Sequence, residues 1–369
     1  MKRIAYVVHS LNLGGAERLA VDMALALARD YELCVVCLDE VGLWADSVRD
    51  KHIPVHCMYR QPGIDLGVPL ALARFARTHG IDLWHTHQAT PWFYAGLSRL
   101  VYPGAKLLFE EHGRHYPEIL SLKRIRLNRW VLQPLTHAVV AVSRDIQKRL
   151  VLYEGLNHNR IQVISNGAPF PPPVTQEQRR ELRRKAGIQE QDFLLGTVGR
   201  FDAIKNLPLA LEAVAEVARK HPRLKCLLVG DGPEHAKVQQ EVARLGLQDR
   251  VLLPGYQDDP ATWTALLDCF FLVSFSEGTS MALLGAMAAG IPAIVTDVGG
   301  NPELVHHGRT GWVVPSGDGQ GLSAAITEAV STPEQCQVLG HAARLRFNSF
   351  FTFEAMLAQY RDLYAALLG

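Results

Sequence analysis

The 369-residue chain is predicted to be an α/β protein built from two doubly wound domains. Three observations carry that prediction. The chain is too long for one ordinary hydrophobic core. Short β-rich runs alternate with amphipathic helical patterns along nearly its whole length. The alternation breaks once, at the proline-rich stretch SNGAPFPPPVTQEQ, and then restarts. Apolar strands separated by helices are covered on both faces, which favours parallel pairing.

In order, the first-half strand candidates are RIAYVV, YELCVVCL, IDLWHTH, KLLFEE, HAVVAV and RIQVIS, with helices such as Glu17 to Arg29 and Arg144 to Tyr153 between them. The prolines between Asn166 and Pro173 hold extended backbone and resist helix, so the linker is placed there. The second half continues with FLLGTVG, LKCLLVG, RVLLPG, CFFLVS, PAIVTD and GWVVP, and ends in a helical tail from Thr352 to Leu368.

Apolar residues make up 48% of the chain and the net charge is +1, so no global field favours nucleic acid. The N-terminal run Met1-Lys2-Arg3-Ile4-Ala5-Tyr6 reads as a strand rather than a signal peptide, and no apolar stretch reaches the length of a membrane span. Six scattered cysteines fit a reducing compartment, and a cytoplasmic protein is expected. Cys34 and Cys37 have C-x-x-C spacing. In a strand, however, residues three apart face opposite ways, so both read as buried small hydrophobes rather than a metal pair.

Open parallel sheets bind ligands at the C-terminal ends of their strands, so the loops there hold the candidate residues. After the first strand, Gly14 and Gly15 precede a helix; they suit a phosphate or a plain tight turn. After FLLGTV, Arg200 and Lys205 suit a diphosphate, arginine forking two oxygens and lysine acting as a mobile charge, or a solvated loop. Gly230 and Gly232 allow close passage of a loop by a flat ligand, or simply a turn.

SEGTSMALLGAMAAGIP places Glu277 at the mouth of an apolar helix, where an acid is expensive unless paired or hydrogen-bonded. Gly278, Thr279 and Ser280 there serve an anion or cap the helix. In the first half, His85 and His87 end one strand. His112 follows another, among Glu110, Glu111, Arg114 and His115. These histidines are structural or share a site. A metal needs three converging ligands, whose geometry nothing in the sequence fixes, and none is expected.

Taken together and in order, LNLGGAERLA, ISNGAPF, GRFDAIKN, LLVGDGPE and SEGTSMALLGAMAAGIPAIVTDVGGNPELV resemble the motifs of retaining glycosyltransferase family 4. The resemblance implies the GT-B fold: two Rossmann-like domains facing a central cleft, residues 1–168 on the acceptor side and 169–351 binding a nucleotide-diphosphate sugar, with the terminal helix (352–369) crossing back to the first. It implies roles as well. Arg200 and Lys205 would hold the diphosphate, and Glu277 would bind the transferred sugar as the first acid of E-x7-E. Gly278, Thr279 and Ser280 would offer backbone N–H groups, and Gly15 would close on the diphosphate. His112 would lie near the sugar, with His85, His87 and Arg114 on the acceptor side. Gly255 and Tyr256 would shape donor choice. No cofactor or metal is implied.

The chain departs from the family at one point. The second acid of E-x7-E falls at Gly285, where the family's carboxylate takes the ribose hydroxyls. Its loss removes charge-assisted hydrogen bonds worth roughly 1.5–3 kcal/mol, and glycine itself destabilises a helix by about 1 kcal/mol relative to alanine. Weakened donor binding is the resulting expectation. A degenerate nucleotide-sugar binding protein and a nucleotide-sugar epimerase of similar form are the alternatives. SLKRIRLNRW, residues 121–130, interleaves Lys123, Arg124, Arg126 and Arg129 with apolar residues; it reads either as a peripheral contact with the inner face of a membrane or as a solvated helix face. Trp84 and Trp92 read as core residues or as stacking surfaces for sugars.

Overall fold

Two all-parallel sheets organise the chain in the computed structural model, which describes residues 1–12, 14–113, 117–172 and 174–369. Each sheet belongs to its own unit: Met1–Ser165 with Met356–Gly369, and Asn166–Ala355.

The first sheet consists of β1 (Arg3–Val8), β2 (Glu32–Cys37), β3 (Val55–Cys57), β4 (Leu83–His87), β5 (Lys106–Glu111), β6 (Ala138–Ala141) and β7 (Ile161–Val163). Their order is β3-β2-β1-β4-β5-β6-β7. The short edge strand β3 is missing from the sequence reading, because Val55-His56-Cys57 follows Pro54 and has a histidine at its centre, whereas the equally short β7 lies within the apolar-rich run RIQVIS. Strand order reverses between β1 and β4, the place where open sheets form ligand sites. Register there sets Tyr6 opposite His85. The Gly15–Leu27 helix buries Leu19, Ala20, Met23, Ala24 and Leu27 at helical spacing. Trp84 and Trp92 are fully buried, Trp92 stacked on Phe109, so both are core residues.

The second sheet consists of β8 (Phe193–Val198), β9 (Leu224–Val229), β10 (Val251–Gly255), β11 (Cys269–Leu272), β12 (Ala293–Thr296) and β13 (Gly311–Val314). The order is β10-β9-β8-β11-β12-β13, reversing between β8 and β11. Alternate residues serve opposite faces: Leu195, Leu228 and Phe271 enter one apolar layer, and Leu194, Leu227 and Phe270 the other. The strand runs read as continuously apolar for that reason.

The last helix, Phe353–Leu368, buries Met356, Leu357, Tyr360 and Tyr364, and from Met356 onward it is part of the first unit. All six cysteines are unpaired. Burial pushes the thiols of Cys34 and Cys37 up to about 12, so neither is a ready thiolate. Among the described residues no helix is long and apolar enough to cross a membrane.

Candidate functional site

In the second unit the site grows from the loops that follow β8 and β11. The Asp202 carboxylate accepts from Ile204 N, capping the single 3-10 turn Ala203–Lys205. A backbone bond from Phe275 N to Ile204 O, 2.8 Å, ties this turn to the β11 loop. So positioned, Lys205 Nζ donates to Glu277 Oε1 at 2.6 Å, and Ser274 Oγ donates to the same oxygen at 2.6 Å. The Glu277 side chain is 10% exposed and that of Lys205 26%. Gly299, at φ +55°, packs against the backbone of residue 277: a Cβ there would stand 1.8 Å from the Glu277 carbonyl oxygen. Arg200 is exposed, 3.9 Å from Asp202, beyond hydrogen-bond range. Spacing alone paired Arg200 with Lys205; the fold instead joins Lys205 to an acid 72 residues away.

The helix Met281–Ala288 begins with Ser280, whose side chain accepts from Leu283 N. Thr279 O accepts from Asn166 Nδ2 at 3.0 Å, and Gly278 O accepts from Gly300 N at 3.1 Å. Ser280 is therefore a helix cap whatever else this turn does. Gly285 is half-buried on the same helix, and a Cβ added to it meets nothing within 4 Å. Gly255 ends β10, and Tyr256 beside it is exposed. Gly230 has a packing reason: at φ +140° its Cβ would meet Gly199 O at 1.9 Å. The loop after β9 crosses the Arg200 loop there, which accounts for the glycine without a ligand.

In the first unit, β4 and β5 bring His85, His87, Glu110 and His112 into one buried cluster. Tyr6 Oη lies 2.9 Å from Tyr364 Oη, and Tyr364 Oη lies 2.6 Å from His85 Nδ1. His85 Nε2 lies 2.8 Å from Glu110 Oε2. One arrangement of protons satisfies the chain: Tyr6 donates to Tyr364, Tyr364 to His85, and His85 to the carboxylate. His87 Nδ1 and His112 Nε2 share a proton across 2.8 Å, and His112 Nε2 stands 3.6 Å from Glu110 Oε1.

Burial lowers the pKa of His85 and lowers that of His87 further. For Glu110, burial acts upward, but the charge of His112 and the bond from His85 hold it below the carboxylate range. His85, His87 and Glu110 each bring a ligand-capable atom within 4.8 Å of the others. The sequence leaves their geometry open, and the fold brings these three together. Both ring nitrogens of His85 nevertheless already have hydrogen-bond partners. Gly15 opens its helix after Gly14, without a side-chain cap. Arg114 and His115 lie outside the described residues.

Comparison with known proteins follows the same division of the chain. Residues 13–169 match the family described as Glycosyltransferase Family 4, and residues 178–346 match Glycosyl transferases group 1. The chain belongs to the group 1, family 4 glycosyltransferases. Its fold is GT-B. This glycosyltransferase is 28% identical over 326 residues to N-acetyl-alpha-D-glucosaminyl L-malate synthase of Bacillus anthracis, covering 85% of this chain and 82% of the relative. It is 22% identical over 374 residues to the UDP-Gal:alpha-D-GlcNAc-diphosphoundecaprenol alpha-1,3-galactosyltransferase of Escherichia coli, covering 98% and 96%. Among solved structures, Anabaena Alr3699/HepE in complex with UDP superposes with a TM-score of 0.87 at 22% identity, covering 99% of this chain and all of that one.

Sequence reasoning on the glycosyltransferase missed Ser274, Tyr6 and Tyr364. Tyr360 and Tyr364 stand one helical turn apart, a spacing that marks a common face. What Tyr364 meets is 279 residues earlier, at His85.

Proposed function

We propose that this glycosyltransferase moves a hexose from a nucleotide-diphosphate sugar to a glycan, lipid-linked or polyol acceptor, with retention of anomeric configuration and without a metal ion. The contact between Lys205 and Glu277 at the reversal of the second sheet carries the reading. Without ligand the two charges satisfy each other. A diphosphate competes for Lys205, joined by the exposed guanidinium of Arg200. Glu277, still held by Ser274, is then released to accept from sugar hydroxyls.

As the bond from the anomeric carbon to the phosphate oxygen breaks, negative charge grows on the diphosphate, where Arg200 and Lys205 stabilise it. The departing phosphate takes the acceptor's proton while the acceptor oxygen attacks from the same face. In this reading His112 serves the transferred sugar, His85 and His87 serve the acceptor, and Gly255 and Tyr256 shape donor choice. Gly285 leaves the ribose without a carboxylate, so donor binding is weak. The UDP complex of Alr3699/HepE and the sugar transfers named for the relatives support the assignment.

Calorimetric titration with UDP-, GDP- and ADP-sugars tests the donor, and NMR of the product anomer tests retention. One donor is expected to bind, with an unchanged turnover in EDTA. Binding of a sugar nucleotide with neither transfer nor hydrolysis would favour the degenerate binding protein, and release of an epimerised donor without acceptor would favour the epimerase. No binding at all would remove the proposal.

A further inference from the structure

The segment after His112 carries a helix whose outer face is unlike a water-facing one. Leu122–Leu127 continues directly into a π-helical turn, Asn128–Leu132. Its inner side is set by the buried Asn128 and Leu132, with Asn128 Nδ2 donating to Glu154 Oε2 at 2.5 Å. The outer side carries large apolar groups where polar ones are ordinary. Leu122 is 63% exposed and Trp130 73%, Leu127 is exposed as well, and Ile119 just before them is 74% exposed.

The charges are sorted in the same sense. Glu118 is turned to Arg149 at 2.7 Å, and Arg124 is turned to Glu154 at 3.2 Å. Both acids, Glu118 and Glu154, are thereby turned to arginines rather than to the outer face. Lys123, Arg126 and Arg129 are exposed there, and among the described residues none of them makes an ion pair. Arg129 leans over the Trp130 ring, 5.7 Å from its centre, and both residues point outward. The face is therefore apolar, cationic and cleared of acid.

We propose that this face, from Ile119 to Trp130, rests on an anionic lipid bilayer, with Leu122, Leu127 and Trp130 in the interfacial layer and Lys123, Arg126 and Arg129 against the headgroups. Basic side chains interleaved with Leu and Trp suit that boundary: the apolar groups leave water while each cation meets a lipid phosphate. A second copy of the chain fits less well, because a two-fold contact sets the same patch against itself and so opposes three cations to three. The surface is independent of the donor reading, since nothing in it involves Arg200, Lys205 or Glu277.

The test is sedimentation with vesicles of phosphatidylcholine alone or mixed with phosphatidylglycerol, without nucleotide sugar. The protein is expected to sediment with the anionic vesicles at low salt and to be released by high salt. Lys123→Glu/Arg126→Glu/Arg129→Glu should weaken partitioning by about a hundredfold or more, from roughly 1 kcal/mol per cation. Leu127→Ser/Trp130→Ser should weaken it too, and brominated lipid should quench fluorescence in the parent but far less in Trp130→Phe. These residues are exposed, so an unchanged thermal transition certifies each variant. The proposal fails if the parent stays in the supernatant at low salt, or if charge reversal leaves partitioning unchanged. It fails also if Leu127→Ser/Trp130→Ser instead dissolves a dimer seen without lipid.

Discussion

Beside the strand reversal of the first sheet, Glu110 is fully buried with three histidines around it; at the reversal of the second, Glu277 keeps a window to solvent and is held by Lys205 and Ser274. Both are acids at strand ends of a parallel sheet. The difference is in what can replace their partners. Around Glu110 the donors are ring nitrogens fixed by strands and, through Tyr364, by the last helix, so no group can leave without stranding another. Around Glu277 one partner is a lysine on a flexible stem, which a stronger anion can draw away. The first arrangement positions its residues, and the second exchanges partners.

Breaking the first arrangement should give the largest effect. Glu110→Ala leaves His85 without an acceptor and removes the charge that His87 and His112 face. Loss of one member of a buried charged network costs about 3–5 kcal/mol. The first unit should therefore unfold at clearly lower temperature, while nucleotide-sugar binding by the second persists. Calorimetry with and without donor checks this; an unmoved transition would mean that the cluster does not organise its unit.

Breaking the second arrangement should affect catalysis rather than folding. Lys205→Ala removes a cation proposed to stabilise the leaving diphosphate, with an expected loss of roughly 10²–10³-fold in kcat. The lysine is partly exposed and its pairing is screened, so the melting temperature should hardly move. Equal losses in turnover and stability would erase the contrast.

Acid offers a milder break that falls mainly on the first region; in the second unit the pKa of His306, exposed, is lowered as well. His85 and His87 have folded pKa values below their unfolded ones, so the unfolded chain takes up protons first as pH falls below about 6.5. Glu110 is also depressed, so its contribution, present above the unfolded carboxylate range, is lost as pH falls through its folded value. All three signs agree: acid destabilises, by about 1.4 kcal/mol per pH unit for each extra proton bound by the unfolded state. None of the buried histidines lies in the second unit. A denaturation series from pH 7 to pH 5 should therefore lower the first unit's transition ahead of the second's.

These contrasts show where sequence reading stops. Most strands were legible because each lies in an apolar-rich run between turn formers, β7 among them within RIQVIS, and β3 was not because Val55-His56-Cys57 follows a proline and holds a histidine at its centre. Glu277 and Lys205 were legible as separate strand-end residues, since an acid before an apolar helix and a cation after a strand each need a reason. Their pairing was not, because it depends on the β8–β11 adjacency, a crossover in the sheet order. Tyr364 was invisible in its role for the same reason: a tyrosine in a terminal helix looks like core until the strand it meets is known. Gly230 shows a further limit: the sequence allows a ligand or a turn there, and the backbone crossing it makes with Gly199 could not be read before the fold was known.

Gly285 sharpens the comparison with the smallest change. On its helix the position is open, so a side chain can be added without displacing a neighbour. Gly285→Ala should raise the stability of the second unit by up to about 1 kcal/mol, through helix propensity alone, and leave donor affinity as it was. Gly285→Glu should raise stability less, since glutamate is a slightly poorer helix former than alanine, but it should tighten nucleotide-sugar binding tenfold or more if the carboxylate reaches the ribose hydroxyls. The pair separates the two consequences of glycine that the sequence leaves entangled. Parallel titrations and melts decide it. Equal affinity in the alanine and glutamate variants would show that the open position does not face the ribose, and that the exchangeable site is smaller than the Lys205–Glu277 geometry implies.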